Sequence, residues 1–138
     1  MSGEWPEFDV GFDRLYGLRL EELGDGVARG SVVVGDALRQ PAGLLHGGVY
    51  AAVAESLASN GSAVAVRGDG RTALGMSNQT CFLAPVTAGT LRAHARARHR
   101  GRTTWVWEVE FLDDRGRLCA LSRVTVAIRP LAAAQRRR

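Results

Sequence analysis

A single long helix constrains this chain more than any other feature. From Gly47-Gly48 to the turn at Arg67-Gly68-Asp69-Gly70 runs an alanine-rich segment with Val49, Val53 and Leu57 at helical spacing. Most of the remaining chain alternates instead. Leu18 to Leu23, the turn Gly24-Asp25-Gly26 and Val27 to Val34 predict a β-hairpin, because Asp-Gly supplies the backbone that a tight two-strand turn requires; Gly35 and Asp36 close its second strand. Four more strands are predicted: Thr72 to Leu83, Leu91 to Arg100 with uninterrupted alternation, Thr103 to Leu112, and Arg117 to Ile128, the last two joined by Asp113-Asp114-Arg115-Gly116. Asp9 to Tyr16 has the spacing of a short helix, ended by Gly17.

Six strands with one long helix after the second predict an α+β domain, an antiparallel sheet wrapped around a single helix. The expected divisions are residues 1–17 as an arm and short helix, with Trp5, Pro6 and Phe8 as anchors, 18–129 as the domain, and 130–138 as a disordered basic tail. A sheet closed over one helix still has edges, which proteins commonly hide by pairing protomers, so a homo-oligomer is expected.

At 138 residues there is room for one domain and one site. An apolar fraction of 46% and a charged fraction of 23% exclude disordered and collagen-like classes. The most apolar window, Val49 to Val66, is interrupted by Glu55, Ser56, Ser59, Asn60, Gly61 and Ser62, and the opening M-S-G-E-W-P-E-F-D lacks the basic and apolar regions of a secretory signal. No membrane span and a cytoplasmic location are therefore expected. Cys81 and Cys119 both fall within strand-like runs and are expected as small core residues rather than metal or redox ligands. Net charge is +4, and all 18 basic residues are arginine. The total lack of lysine points to compositional bias, so placement matters more than number.

The chemistry gathers at the helix. Gly47 and Gly48 open it, where backbone N–H groups lack intrahelical acceptors and the dipole is positive, a place to hold a carbonyl oxygen as it becomes an oxyanion. Gln40 can add a side-chain amide donor, and His46 can position substrate or the loop. Singly, a Gly-Gly pair is a turn and a lone histidine a surface residue; the combination carries the argument. Glu55 follows about two turns into the helix, with Ala51, Ala52, Ala58 and Ser59 one turn away, small residues on a face that looks built for burial. Glu55 is the natural nucleophile or general base, and Ser59 can bond the carboxylate or a water; the bland alternative is a solvated helix face.

The run L-R-Q-x-x-G-L-L-H-G-G-x-Y-x-x-x-A-E-S-L-A-S, followed by S-N-Q-T-C-F-L-A-P-V, G-R-T-T-W-V-W-E-V and D-D-R-G-R-L-C-A-L-S, resembles the hot-dog-fold acyl-CoA thioesterases. The similarity is greatest to the catalytic-glutamate branch, the Arthrobacter-type 4-hydroxybenzoyl-CoA thioesterases, and spans about Asp36 to Pro130. The resemblance implies a hot-dog fold and hydrolysis of an aromatic acyl-CoA such as 4-hydroxybenzoyl-CoA, with a place in aromatic degradation. Alternatives are 1,4-dihydroxy-2-naphthoyl-CoA, phenylacetyl-type or medium-chain acyl-CoA, or a non-catalytic module that binds acyl-CoA. It further implies that Gln40 and the Gly47 N–H polarise the thioester carbonyl, that Glu55 attacks it or activates water, and that Ser59 assists hydrolysis. His46 belongs to the same loop, and Gly48, Asn78 and Thr103 fall on the substrate and CoA side. The loop and the glutamate would come from different subunits, in a homodimer at least and a homotetramer in full. No metal or redox cofactor is implied, the CoA thioester being the substrate.

Ala84 and Ala132 depart from the pattern, standing where basic residues near the nucleotide end of CoA are expected. Arg102 beside Thr103 is the expected replacement phosphate ligand. Arg92, His94, Arg96, Arg98, Arg100 and Arg102 share one face of a strand and its turn, opposite Leu91, Ala93, Ala95 and Ala97. That basic face can meet CoA phosphates, pair with Glu108 and Glu110, or stack on Trp105 and Trp107; a solvated, salt-bridged surface is the plainer reading. Binding of nucleic acid is disfavoured because the stripe is short and no recognition motif accompanies it.

Overall fold

A computed structural model of the chain describes residues 10–132. The elements run α1 (Gly11–Tyr16), β1 (Arg19–Gly24), β2 (Val27–Val33), α2 (Gly47–Val66), β3 (Arg71–Phe82), β4 (Thr90–Arg100), β5 (Thr104–Leu112) and β6 (Leu118–Pro130). The anchors Trp5, Pro6 and Phe8 and the tail beyond Ala132 lie outside the described residues.

The six strands form one antiparallel sheet in the order β1-β2-β4-β5-β6-β3, and α2 touches every strand. After α2 the chain therefore crosses to the far edge, where β3 pairs with β6 alone among the described residues. The helix fits because its buried stripe combines Val49, Val53 and Leu57 with small residues. At Gly61 an added Cβ would come 2.8 Å from the Trp107 ring, so only glycine lets helix and indole approach this closely. One residue on, Trp107 Nε1 donates to Ser62 Oγ at 2.7 Å, with both side chains fully buried. Ser62→Ala would leave a buried indole N–H without an acceptor and should cost about 1–3 kcal/mol in chemical denaturation. An unchanged midpoint would mean that the bond contributes nothing.

Asp113 shapes the β5–β6 hairpin, accepting from the N–H groups of Arg115 and Arg117 at 2.9 Å each and from Arg117 Nε at 3.1 Å. These donors, the Arg117 backbone N–H foremost, hold its carboxyl below the usual range. A depressed pKa stabilises the fold above the unfolded value of about 4 and loses that contribution as pH falls through the folded value. Asp113→Ala should thus lower the melting temperature at neutral pH, and the gap should close in acid. A gap that persists at a pH of about 2 would refute this account.

Three expectations need correction. The alternation of β4 breaks at a bulge between Ala97 and His99: Arg98 still reaches Glu108 on the face of Arg92, His94 and Arg96, but Arg100 falls opposite Trp105 and does not continue that face. Cys119 is fully buried, and burial pushes its thiol pKa up, but Cys81 is exposed, because it lies on β3 at the edge of the sheet. Thr103 belongs to the β4–β5 turn rather than to β5. The sheet register also resolves the arginine stripe. Arg96 stands opposite Glu108 and His94 opposite Glu110, while ion pairs join Arg98 and Arg123 to Glu108, Arg29 to Glu22 and Arg92 to Asp114. Arg100 pairs with Asp25 and lies 5.7 Å from the Trp105 ring centroid. Acids interleave with bases, so this face is a mixed, salt-bridged surface rather than a continuous basic one.

Candidate active site

The loop before α2 is strapped down by its own backbone. An antiparallel bridge between Arg39 and Leu45 closes it; the Gln40 N–H donates to the Leu44 carbonyl at 2.7 Å, and the Gly43 N–H to the Gln40 carbonyl at 2.9 Å. Gly43, at φ 88°, makes the turn possible. On one side the Leu45 N–H reaches the Val86 carbonyl at 2.7 Å, and on the other the His46 N–H reaches the Leu38 carbonyl at 2.8 Å. Gln40 Oε1 accepts from the Ala42 N–H, which fixes the side-chain amide and leaves its NH₂ as the free end.

His46 is the N-cap of α2. Its Nδ1 accepts from the Gly48 N–H at 2.8 Å, which puts the ring proton of the neutral imidazole on Nε2. The Val49 N–H goes to the His46 carbonyl at 3.0 Å. Of the first N–H groups of the helix, Gly47's therefore has no acceptor among the described residues. Gly48, expected on the substrate side, has its N–H committed to His46. An added Cβ at Gly47 would come 2.7 Å from Phe82 Cζ, so any larger residue there requires the exposed ring to move. Phe82 packs edge-on against Tyr50 at 5.6 Å between centroids, and Tyr50 in turn against Phe111 at 5.3 Å. Burial pushes the Tyr50 hydroxyl up to about 12.

Glu55 is exposed, while Ala58 is buried and Ala51, Ala52 and Ser59 are half-buried, so the expected small-residue surroundings are present but the carboxylate itself reaches solvent. It lies against β3. An added Cβ at Gly75 would sit 2.9 Å from Glu55 Oε1, and a β-bulge between Gly75 and Ser77 bends the strand at this point. Glu55, Gly75, Met76, Ser77, Asn78 and Val124 line a depression of about 160 Å³. Asn78 ties β3 to the helix: its Nδ2 donates to the Ala51 carbonyl at 2.8 Å and its Oδ1 accepts from Thr80 Oγ1 at 3.0 Å. This residue, expected as a substrate contact, both lines the depression and braces β3 against the helix. Ser59 Oγ, one turn after Glu55, is buried with no hydrogen-bond partner among the described residues.

Asp13, Tyr16 and Ser56 were not singled out by sequence. Asp13 Oδ1 accepts from Tyr16 OH and from Ser56 Oγ, each at 2.6 Å, which fastens α1 beside Glu55. Burial, then the bond to Asp13, raise the Tyr16 pKa. Phe82 was missed as well. Apart from Asp13 and Tyr16, one helical turn apart, these contacts join residues far apart in sequence, and no periodic signal marks them.

Gly47 and Glu55 lie eight residues apart on one helix, about 12 Å along its axis. Arg102 and Thr103 lie at the opposite end of the molecule from Gly47, by the start of β3. Among the described residues no three His, Cys, Asp or Glu side chains gather as metal ligands, and no helix is long and apolar enough to cross a membrane.

A sheet wrapped around one helix that opens on His-Gly-Gly is the hot-dog arrangement, and comparison with known structures bears this out. Residues 42–120 match the thioesterase superfamily, and the chain belongs to that family as a thioester hydrolase. A mutant of thioesterase PA1618 from Pseudomonas aeruginosa superposes with a TM-score of 0.82 at 35% identity, over 86% of each chain. AziG of S. sahachiroi superposes with a TM-score of 0.84 at 40% identity, over 88% of this chain and 98% of that one. The 1,4-dihydroxy-2-naphthoyl-CoA hydrolase of Escherichia coli K12 is 32% identical over 80% of this chain and 81% of its own length.

Proposed function

We propose that this chain hydrolyses the CoA thioester of an aromatic acid in a site shared by two protomers. The observation that carries this reading is the separation just described. An unclaimed N–H at Gly47 and a carboxylate about 12 Å along the same helix are too far apart to meet on one carbonyl carbon. The edge strand beside Glu55 offers the remedy. Among the described residues β3 has no strand on its outer side, and Leu74, Met76, Phe82 and Leu83 around it are each more than half exposed. A second copy pairing along this edge covers them and brings its Glu55 toward the first copy's Gly47.

In such a site the Gly47 N–H and the Gln40 NH₂ donate to the thioester oxygen as it gains charge. Glu55 from the second protomer follows one of two routes. It attacks the carbonyl carbon, giving an anhydride as the C–S bond breaks, which water then cleaves; or it takes a proton from a water that attacks the same carbon. Either way sulfur departs as the CoA thiolate, and the products are free acid and CoA. The unpartnered Ser59 hydroxyl is available to the carboxylate or the water. His46 acts by capping, holding the Gly48 N–H so that Gly47's alone remains for substrate.

The aromatic preference draws support from Phe82 and Tyr50, an edge-to-face pair directly beside Gly47. A 4-hydroxybenzoyl group fits this reading, and the relative named for 1,4-dihydroxy-2-naphthoyl-CoA favours a fused aryl group as the second. The test is thiol release from 4-hydroxybenzoyl-, benzoyl-, phenylacetyl-, 1,4-dihydroxy-2-naphthoyl- and hexanoyl-CoA. One aryl thioester should exceed hexanoyl-CoA in kcat/KM by about tenfold or more. Equal rates across the panel would overturn the aromatic reading, and no release at all would overturn hydrolysis of CoA thioesters.

A further inference from the structure

β3 carries polar side chains where its neighbour on β6 faces the core. Asn78 and Thr80 stand opposite Val124 and Ser122, both of which are buried. Polar groups persist at such positions where they are bonded, and these are bonded in a chain. The Ala51 carbonyl can only accept, so it fixes Nδ2 of Asn78 as the atom that meets it, at 2.8 Å. Oδ1 is thereby turned to Thr80 Oγ1, 3.0 Å away, and the single proton of the Thr80 hydroxyl is spent on that bond. Between Thr80 and Ser122, whose hydroxyls lie 2.8 Å apart, Ser122 must then be the donor. The protons all point one way, from β6 through β3 to α2. The Asn78 amide cannot turn over without losing its bonds at both ends.

The chain ends on a particular peptide group. In α2 the Ala51 carbonyl is also the helical acceptor for the N–H one turn on, that of Glu55. Asn78 therefore holds the carbonyl that closes the turn bearing the carboxylate. Earlier on the same strand Gly75 lies against Glu55 Oε1, and the bulge between Gly75 and Ser77 separates that contact from Asn78. The bond from Asn78 thus sets the spacing between this helical turn and the bend in β3 on which the carboxylate rests.

We propose that Asn78 is a positioning residue for Glu55: its amide, oriented by Thr80 and Ser122, holds the carboxylate where it can meet a thioester bound at the second protomer's oxyanion loop. This rests on the role given to Glu55 above and changes the task expected of Asn78, which acts on the helix rather than on the acyl group or CoA. A displacement of about 1 Å at a reacting group can cost about a hundredfold in rate, so one such strut has a large effect without touching substrate.

Asn78→Asp keeps the shape of the side chain and the bond accepted from Thr80 but brings no proton to Ala51. It should lower kcat about ten- to a hundredfold while KM for an aryl-CoA stays within about twofold, and Asn78→Ala should fall as far. Thr80→Val frees the amide to turn over. It should lose less by itself and nothing further when added to Asn78→Ala, because it acts only through Asn78. Gln79→Ala, at an exposed neighbour with no side-chain bond among the described residues, should match wild type. A protein-concentration series separates chemistry from association along the edge of the sheet. A rise in KM at unchanged kcat would make Asn78 a substrate contact and overturn the proposal. So would wild-type turnover by Asn78→Asp, additive losses in the double variant, or a deficit that vanishes at high protein concentration. Amide hydrogen exchange tests the strut without turnover: in Asn78→Asp the Glu55 N–H should exchange about tenfold faster, with those of Leu57 and Ala58 unchanged. If no thioester is cleaved, the functional reading falls separately, and this local acceleration still supports the strut. Unchanged exchange at Glu55, or faster exchange throughout α2, overturns it.

Discussion

Glu55→Ala should lower kcat by about 10²–10⁴-fold or more, the range for removing a positioned general base or nucleophile. The expected loss is confined to chemistry. Glu55 is exposed, its carboxylate rests against Gly75 and its helical neighbours are small, so truncation opens no cavity in the core. Alanine is also the better helix former. Melting temperature, assembly and KM should therefore stay near wild type while turnover collapses. Glu55→Gln, which keeps shape and removes charge, should fall nearly as far. A Glu55→Ala protein that retained a kcat within about threefold of wild type would remove this residue from the mechanism.

The second large effect is a restoration. Gly47→Pro deletes the N–H left free by the His46 cap and should cost about 10²–10³-fold in kcat, as loss of an oxyanion donor does elsewhere. Proline suits the first turn of a helix, although Phe82 must give way to the added ring. Alone, each of this variant and Glu55→Ala should keep about a hundredth of the wild-type rate or less. Unfolded and refolded together, they should regain activity, because one site of the mixed dimer combines the intact Gly47 of the Glu55→Ala chain with the intact Glu55 of the Gly47→Pro chain. Random mixing makes half of the dimers mixed, each with one working site, so recovery should approach about a quarter of wild type. No recovery from a mixture shown to contain mixed dimers would place both groups in one protomer, against the geometry of α2.

What the sequence shows and what it hides divide along physical lines. The helix, the Asp-Gly hairpin and the strands of the sheet interior were legible because burial imposes a period on them: Trp105, Trp107, Val109 and Phe111 alternate, and all are buried. β3 is legible as a strand but not as an edge, since it exposes Leu74, Met76 and Phe82 where a half-covered strand would not. The exposure of Cys81 follows from that placement. The bulges at Gly75/Ser77 and Ala97/His99 are set by packing and leave no local mark. At the site, Gln40, His46, Gly47 and Glu55 stood out because loop, cap and carboxylate fall within one short stretch. Asn78 reaches Ala51 across 27 residues and Ser56 reaches Asp13 across 43, pairings that exist only once the sheet has closed.

The bend in β3 has a bearing on how this protein can change. Met76 stands at the bulge, lines the hollow by Glu55 and is 61% exposed on the edge strand where the second copy is proposed to pair. In the proposed shared site, a substitution there that reshapes room for substrate also alters the grip between protomers. Selection for a new acyl group at this position therefore acts at the same time on a dissociation constant. Variants compared at a single dilution would confuse weaker association with poorer chemistry, and a concentration series separates the two.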